Sequence, residues 1–117
     1  MNVEDLENPG NIQEFSGSTT ATDHNLYVAK HKKDDYIYEA NYRAGLQILR
    51  VKDYATADFV EVGRFDTYPD DDSSDFAGAW SVYPYFKSGL VAVSSIEEGL
   101  FLVKRSESSR RLRGARV

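Results

Sequence analysis

Apolar and polar residues alternate along most of this chain in short runs, the pattern that half-buried β-strands produce. In the run 59–65 (FVEVGRF), for example, Phe59 and Phe65 fall on one face and Val60 and Val62 on the other. Glycine, asparagine and aspartate separate the runs and indicate turns between strands. The pattern predicts strands over 25–30, 36–39, 46–51, 59–65, 79–85, 90–94 and 100–104. The predicted fold class is therefore all-β.

This series of strands occurs twice. Residues 36–51 (YIYEANYRAGLQILRV) and 90–105 (LVAVSSIEEGLFLVKR) align with a shift of 54 positions, which places Gly45 on Gly99 and Leu46 on Leu100. Both glycines are expected at positive φ, because each lies where a turn opens the third strand of its unit. Four strands within about forty residues, repeated at this period, are typical of the blades of a β-propeller.

The repeat divides the chain into a partial β-propeller over residues 1–105, with about two four-stranded antiparallel blades. Residues 24–65 are expected to form one full blade, and residues 79–105 a second, incomplete blade without its fourth strand. Residues 3–15 resemble 51–65, so residues 1–15 are expected to be the end of another blade, while the basic, serine-rich residues 106–117 predict a disordered tail. Because a closed propeller needs about four blades, we expect a fragment of a longer protein. Its open strand edges would let the isolated chain self-associate.

Composition narrows the function classes. A net charge of −5 argues against a nucleic-acid partner, and the lack of cysteine excludes disulfides and thiolate metal sites. No apolar run is long enough to be a transmembrane segment, and the acidic N-terminus does not have the pattern of a signal peptide. No G-x-S-x-G, H-E-x-x-H, Walker or G-x-G-x-x-G motif occurs, which favours a binding scaffold over an enzyme.

Candidate functional residues gather at one end of the predicted sheets. In an antiparallel meander, the turn between strands two and three emerges at the same end as the connection to the next blade. Segments 16–25, 41–44, 66–80 and 94–98 are therefore expected to share a loop-rich face, where rigid scaffolds commonly bind ligands. The candidate ligand-binding residues on this face are Asp23, His24, Asn25, Tyr42, Arg43, Trp80 and Glu97.

Two readings stay open for the cluster that enters the first strand. Imidazole and carboxylate groups are ordinary metal ligands, so Asp23, His24 and Asn25 suit a polar cluster that binds a ligand or a cation near the axis of the propeller. Alternatively, Asp23 and Asn25 bond to the backbone of the turn while His24 packs against its neighbours.

The other candidates also have a structural reading. Trp80 is either a stacking platform or a core plug between blades, because its side chain buries a large area. Arg43 either contacts a ligand or forms a salt bridge with Glu97, which occupies the equivalent turn position of the next repeat.

An acidic segment holds the densest cluster of charges and is a candidate metal site. It contains Asp66, Asp70, Asp71, Asp72 and Asp75. Oxygen-rich loops suit Ca²⁺, but this segment lacks the order of an EF-hand, with no glycine at its sixth position and no glutamate at its twelfth. A run of like charges is also the ordinary composition of a solvated loop. Calcium and a solvated loop both stay open, and no other cofactor is expected.

Several segments, taken in order, resemble one known family. The segments TTATDHNLYV (19–28), YEANYRAGLQIL (38–49), FDTYPDDD (65–72), GAWSVYP (78–84) and GLFLV (99–103) are similar to the C-terminal part of the choice-of-anchor B proteins, which are LVIVD-repeat β-propellers. The resemblance covers about 3–103. It implies an exported or surface-anchored parent protein, an extracellular or cell-surface location and no established reaction.

Together, the repeat and the resemblance predict a non-catalytic binding or interaction module whose partner is a protein or a surface ligand. The alternative is an accessory domain of an exported hydrolase or peptidase, or part of a propeller hydrolase.

Overall fold

The fold consists of two antiparallel sheets. The computed structural model describes residues 3–10 and 14–105, together with the backbone of 113–116. The strands are β1 (Asn25–His31), β2 (Asp34–Ala40), β3 (Leu46–Asp53), β4 (Asp58–Phe65), β5 (Ala79–Tyr83), β6 (Leu90–Ser95), β7 (Gly99–Lys104) and β8 (Arg113–Arg116). They form one sheet in the order β1-β2-β3-β4 and a second in the order β5-β6-β7-β8. The predicted all-β class is confirmed. In the part of the chain that the structure describes, no helix is long and apolar enough to cross a bilayer.

The observed strands overlap the seven predicted ones, although β5 ends at Tyr83, before Pro84, and not at Tyr85, and there is an eighth strand. The four-residue strand β8 pairs with β7, in a segment for which the sequence pattern predicts a tail without strands. The prediction of a missing fourth strand is therefore wrong for 113–116, while 106–112 and 117 lie outside the described residues. Residues 3–10 and 14–24 lie outside the eight strands, so the expected blade end over 1–15 is not seen as strands there. Its positions 1–2 and 11–13 are not described.

The two sheets repeat the same pairing register. Ile37 lies opposite Leu49 in the first sheet. Val91 lies opposite Val103, 54 residues further along, in the second. The neighbouring pairs of β2 with β3 and of β6 with β7 keep the same offset. The similarity of the two sequence segments is therefore a similarity of strand pairing.

The sheets stack with opposite faces in contact. The core between them consists of Tyr36, Tyr38, Ala40, Leu46 and Ile48 from the first sheet and Ala79, Val82, Val91, Val93 and Val103 from the second. We call the face of the first sheet that carries these residues its front face, and the opposite face, with Ile37 and Leu49, its back face. Val91 and Val103 occupy the positions of Ile37 and Leu49, so the second sheet packs its back face on the front face of the first. This is head-to-tail stacking, as distinct from a two-fold contact between like faces.

This stacking leaves one apolar face of the second sheet uncovered. Leu100 and Tyr83, on its front face, are 43% and 49% exposed, whereas Leu46, the equivalent of Leu100, is fully buried.

The back face of the first sheet has a partial cover. The segment 14–24 crosses it: the ring centroids of Phe15 and Phe59 lie 5.7 Å apart, and Ser18 Oγ donates a hydrogen bond of 2.8 Å to Glu61. The cover stops short of β1, where Leu26 is 56% exposed. Each outer face of the stack therefore exposes apolar side chains.

Candidate functional site

Three of the connecting segments are tied together at one end of the sheets. The backbone N–H groups of Tyr42 and Ala79 donate to each other's carbonyl oxygens, at 3.1 and 2.8 Å. Gly78 accepts from the backbone N–H of Ile96 at 2.9 Å, and its own N–H donates to Glu97 Oε2 at 2.8 Å. These bonds join the β2–β3 turn, the 66–78 segment and the β6–β7 turn.

The N-terminal segment joins the same surface. Thr20 Oγ1 donates to the carbonyl oxygen of Asp72 at 3.1 Å, and Thr22 Oγ1 to that of Ser74 at 3.2 Å. We call the surface formed by 16–24, 41–45, 66–78 and 96–98 the loop face. The four segments that antiparallel geometry predicts on one face are therefore in contact.

An aromatic cluster lies at the loop face and consists of His24, Tyr42, Phe76 and, from the start of β5, Trp80. The His24 ring lies between Tyr42 and Trp80, with centroid distances of 4.5 and 4.6 Å, and Phe76 lies 5.0 Å from Tyr42. Tyr42 is buried, whereas Trp80 is 50% exposed and Phe76 72% exposed. The reading of Trp80 as a core plug is therefore wrong, because its ring lies at the surface beside His24.

A hydrogen bond fixes the orientation of His24. Its Nδ1 lies 2.9 Å from the carbonyl oxygen of Trp80. A carbonyl oxygen accepts only, so Nδ1 carries the proton, and the other ring nitrogen is the acceptor when the ring is neutral. His24 therefore packs against its neighbours, as the second reading of this cluster predicts. The rings of Trp80 and Phe76 remain exposed to solvent.

Arg43 holds the acidic segment. Its guanidinium forms ion pairs with Asp71 and with Asp75, the latter at 3.1 Å, and lies 4.9 Å from the ring centroid of Tyr68. Of the two readings of Arg43, the salt bridge with Glu97 is wrong. Glu97 instead accepts a hydrogen bond from the backbone N–H of Gly78, in the 66–78 segment. The reason is the course of that segment, which passes close to the β2–β3 turn and brings its carboxylates to the guanidinium.

The contacts around Asp71 stabilise its ionised form. The backbone N–H of Ser73 donates to Oδ1 of Asp71 at 2.8 Å. This bond, followed by the hydrogen bond from Arg43, lowers the pKa of Asp71 to about 2. The same pair raises the pKa of Arg43, mainly through the hydrogen bond to Asp71. Asp71 is therefore ionised at neutral pH.

The predicted calcium ligands do not form a shared centre. Asp66 accepts a hydrogen bond of 2.8 Å from the backbone N–H of Tyr68 within its own turn. Asp71 and Asp75 face a guanidinium, which supplies a fixed positive charge between them. Among the described residues, no group of three or more His, Asp or Glu side chains is arranged to hold a metal ion.

Two carboxyl groups near the start of β1 have raised pKa values. Desolvation raises the pKa of Asp23, and burial followed by the charge of Asp23 raises that of Glu39, while a 3.2 Å hydrogen bond from Asn41 Nδ2 opposes the rise. Asn25 is the first residue of β1. The sequence analysis did not predict a role for Glu39. Its position on the same face of β2 as Ile37, among apolar side chains, is the signal that indicates a half-buried carboxylate.

No family model, curated protein or solved structure matches this chain.

Proposed function

We propose that this chain forms two consecutive blades of a β-propeller of the choice-of-anchor B type and acts as a non-catalytic binding module of an exported or cell-surface protein. Head-to-tail stacking of two sheets with the same register is the observation that supports the propeller. Adjacent blades of a propeller are related by rotation, so each packs its front face on the back face of the next. Leu46 and Leu100 are at equivalent positions, and only Leu46 has a sheet in front of it.

The loop face is the proposed binding surface. Five aspartates lie within 66–75, and Arg43 is the single lysine or arginine of the four segments. Exposed aromatic rings beside polar groups are typical of binding hot spots, and Phe76 and Trp80 are such rings. The partner that fits this chemistry is a protein segment that combines lysine or arginine with an apolar side chain, because it would satisfy both the carboxylates and the rings.

The chain carries its own probe for this proposal. Trp80 is the single tryptophan, so its fluorescence emission reports directly on the aromatic cluster. Peptides that combine lysine, arginine and leucine should shift or quench the emission saturably, and the same peptides with glutamate in place of the basic residues should not. Phe76→Ala should weaken the effect, and Phe86→Ala, an exposed ring at the other end of the sheets, should not. Emission that no basic peptide changes, or equal losses in both variants, would contradict the proposal.

The propeller and the lack of catalysis have separate tests. A crystal structure of the longer parent protein should show further four-stranded sheets on the exposed faces that carry Leu26 and Leu100. A different fold on those faces would contradict the propeller. A hydrolytic turnover by the parent that is lost in His24→Ala or Asp23→Asn would contradict the non-catalytic role and favour the hydrolase alternative.

A further inference from the structure

A cleft of about 1020 Å³ opens between the two sheets at the end opposite the loop face. The β1–β2 turn and the connection from β5 to β6 form its walls, and the end of β7 closes one side. Tyr36, Tyr38 and Val91 line its inner part and are themselves buried. The cleft is therefore a concave site between packed elements, with a volume at the upper limit of small-molecule sites, which span ~300–1,000 Å³.

The cleft is strongly basic, although the chain as a whole has a net charge of −5. The charged residues that line it are Lys30, Lys32, Lys87, Lys104, Arg105 and Asp34. The lining therefore contains five cationic side chains and one carboxylate, whereas the loop face is mainly acidic. Clefts lined by one sign of charge concentrate the field and raise the local concentration of ions of the opposite sign.

Aromatic groups line the same cleft and are held in place. The guanidinium of Arg105 lies 4.7 Å from the ring centroid of Tyr36. Tyr85 Oη donates a hydrogen bond of 2.9 Å to the carbonyl oxygen of Val28, which attaches the β5–β6 connection to β1. Phe86 packs on Tyr83 with a centroid distance of 5.0 Å. Rings and cations are therefore presented together on walls that are already formed.

We infer that this cleft binds a small organic anion in which a phosphate or carboxylate group is attached to a planar ring. Arg105 and the surrounding lysines match the anionic group, because a guanidinium donates hydrogen bonds to phosphate and carboxylate oxygens in a fixed fork geometry and also stacks on flat rings. Tyr36, Tyr85 and Phe86 match the ring. The inference concerns the end of the molecule away from the loop face, so it does not depend on the function proposed above.

Four small probes test the inference on the full 117-residue chain. Phenyl phosphate and benzoate carry both features, inorganic phosphate carries only the anion, and phenol carries only the ring. In NMR titrations, we expect saturable shifts of residues in the cleft with phenyl phosphate or benzoate, and at least a roughly tenfold weaker effect with inorganic phosphate and phenol. The tighter of the two organic anions identifies the anionic group. Equal binding of phosphate and phenyl phosphate, or no saturable binding of either organic anion, would overturn the inference.

A pair of double variants separates the cleft from general electrostatics. Lys87→Gln with Lys104→Gln should weaken the tighter probe by roughly tenfold or more, because two lining charges are lost. Lys52→Gln with Arg64→Gln changes the net charge by the same amount at positions outside the cleft and its walls, and should change affinity less than about twofold. Lys87, Lys104 and Lys52 are exposed and Arg64 is half-buried, so thermal denaturation should first show that both double variants are folded. Equal losses in the two double variants would show a nonspecific effect of net charge and overturn the inference.

Discussion

Gly45 and Gly99 occupy the same position in the two sheets, with nearly the same backbone conformation and different surroundings. Their φ angles are 73° and 79°, which confirms the expectation of a left-handed residue at the start of the third strand of each unit. A Cβ atom on Gly45 would lie 2.2 Å from the carbonyl oxygen of Phe65, whereas one on Gly99 would have no atom within 4 Å. The two positions therefore carry the same conformational cost and different steric costs.

Substitution by alanine separates these costs. Gly99→Ala should lower the free energy of unfolding by about 1–2 kcal/mol, the cost of a side chain in the left-handed region. Gly45→Ala should lower it by a further ~1–3 kcal/mol, because the end of β4 has to move to admit the methyl group. Urea denaturation of both variants measures the difference. Equal destabilisation would show that the contact between the β2–β3 turn and β4 is looser than the structure indicates.

The paired glycines also show why so much of this fold is readable from the sequence. Strand positions and turn conformations depend on local periodicity and on residues a few positions apart. Both signals occur in each of the two repeats, 36–51 and 90–105. The alternation in YIYEA fixes that Tyr38 and Ile37 lie on opposite faces of β2, and the structure agrees. The grouping of the loops follows from antiparallel geometry alone.

What the sequence did not predict depends on how distant segments meet. The partner of Arg43 is set by the path of the 66–78 segment, which has no periodicity to interpret. The stacking of His24 on Trp80 requires the N-terminal segment to reach β5. The basic cleft collects residues from β1, from the β5–β6 connection and from the end of β7, and each of them looks like an ordinary surface lysine or arginine in its own segment.

Glu39 should make stability depend on pH. Its pKa is raised by burial, so the folded state favours the protonated form. This contribution is fully present below the ordinary pKa of glutamate and is lost as the pH rises through the higher pKa of the folded state. Glu39→Gln keeps an acceptor for Asn41 and removes the charge, so it should stabilise the protein at neutral pH and have little effect in acid.

Thermal denaturation of the wild type and of Glu39→Gln over a range of pH tests this sign. The melting temperatures should converge as the pH falls and separate as it rises. Glu61→Gln is a suitable control, because Glu61 lies on the same sheet and keeps its acceptor for Ser18. A variant that is less stable than the wild type at neutral pH would contradict the assignment of burial as the dominant effect on Glu39.

Arg43→Gln should alter Asp71 in a graded way. Because the backbone hydrogen bond from Ser73 is the larger cause of its low pKa, loss of Arg43 should raise the pKa of Asp71 from about 2 but leave it below the ordinary value. The stability that Asp71 contributes is present above the ordinary pKa of aspartate and is lost as the pH falls through the folded-state value. The variant should therefore lose this contribution at a higher pH than the wild type.

Carboxyl carbon chemical shifts, followed by NMR as a function of pH, measure the pKa of Asp71 directly. Lys52→Gln provides a control of equal charge change, since Lys52 Nζ lies 3.9 Å from Asp58 Oδ2, at the end of β3 away from the loop face. An unchanged pKa in Arg43→Gln would mean that the guanidinium does not contact Asp71 in solution, and a full return to the ordinary value would mean that the Ser73 bond depends on it.

The head-to-tail stack predicts that the isolated chain associates. Its two outer faces are complementary. The exposed front face of the second sheet, with Leu100, corresponds to the front face that packs on a back face inside the molecule, and the exposed back face of the first sheet carries Leu26. Contacts of this type add further copies head to tail, up to the number at which the rotation between sheets closes a ring, so the average mass should rise with concentration. Leu100→Lys should suppress this association with little loss of stability, since Leu100 is 43% exposed. Leu6→Lys, at a side chain that is 81% exposed and outside the sheets, should not suppress the association.

Sedimentation velocity over a roughly hundredfold range of concentration measures the association of the wild type and of both variants. A wild-type chain that stays monomeric throughout, or equal suppression by the two variants, would mean that the exposed sheet face does not mediate association.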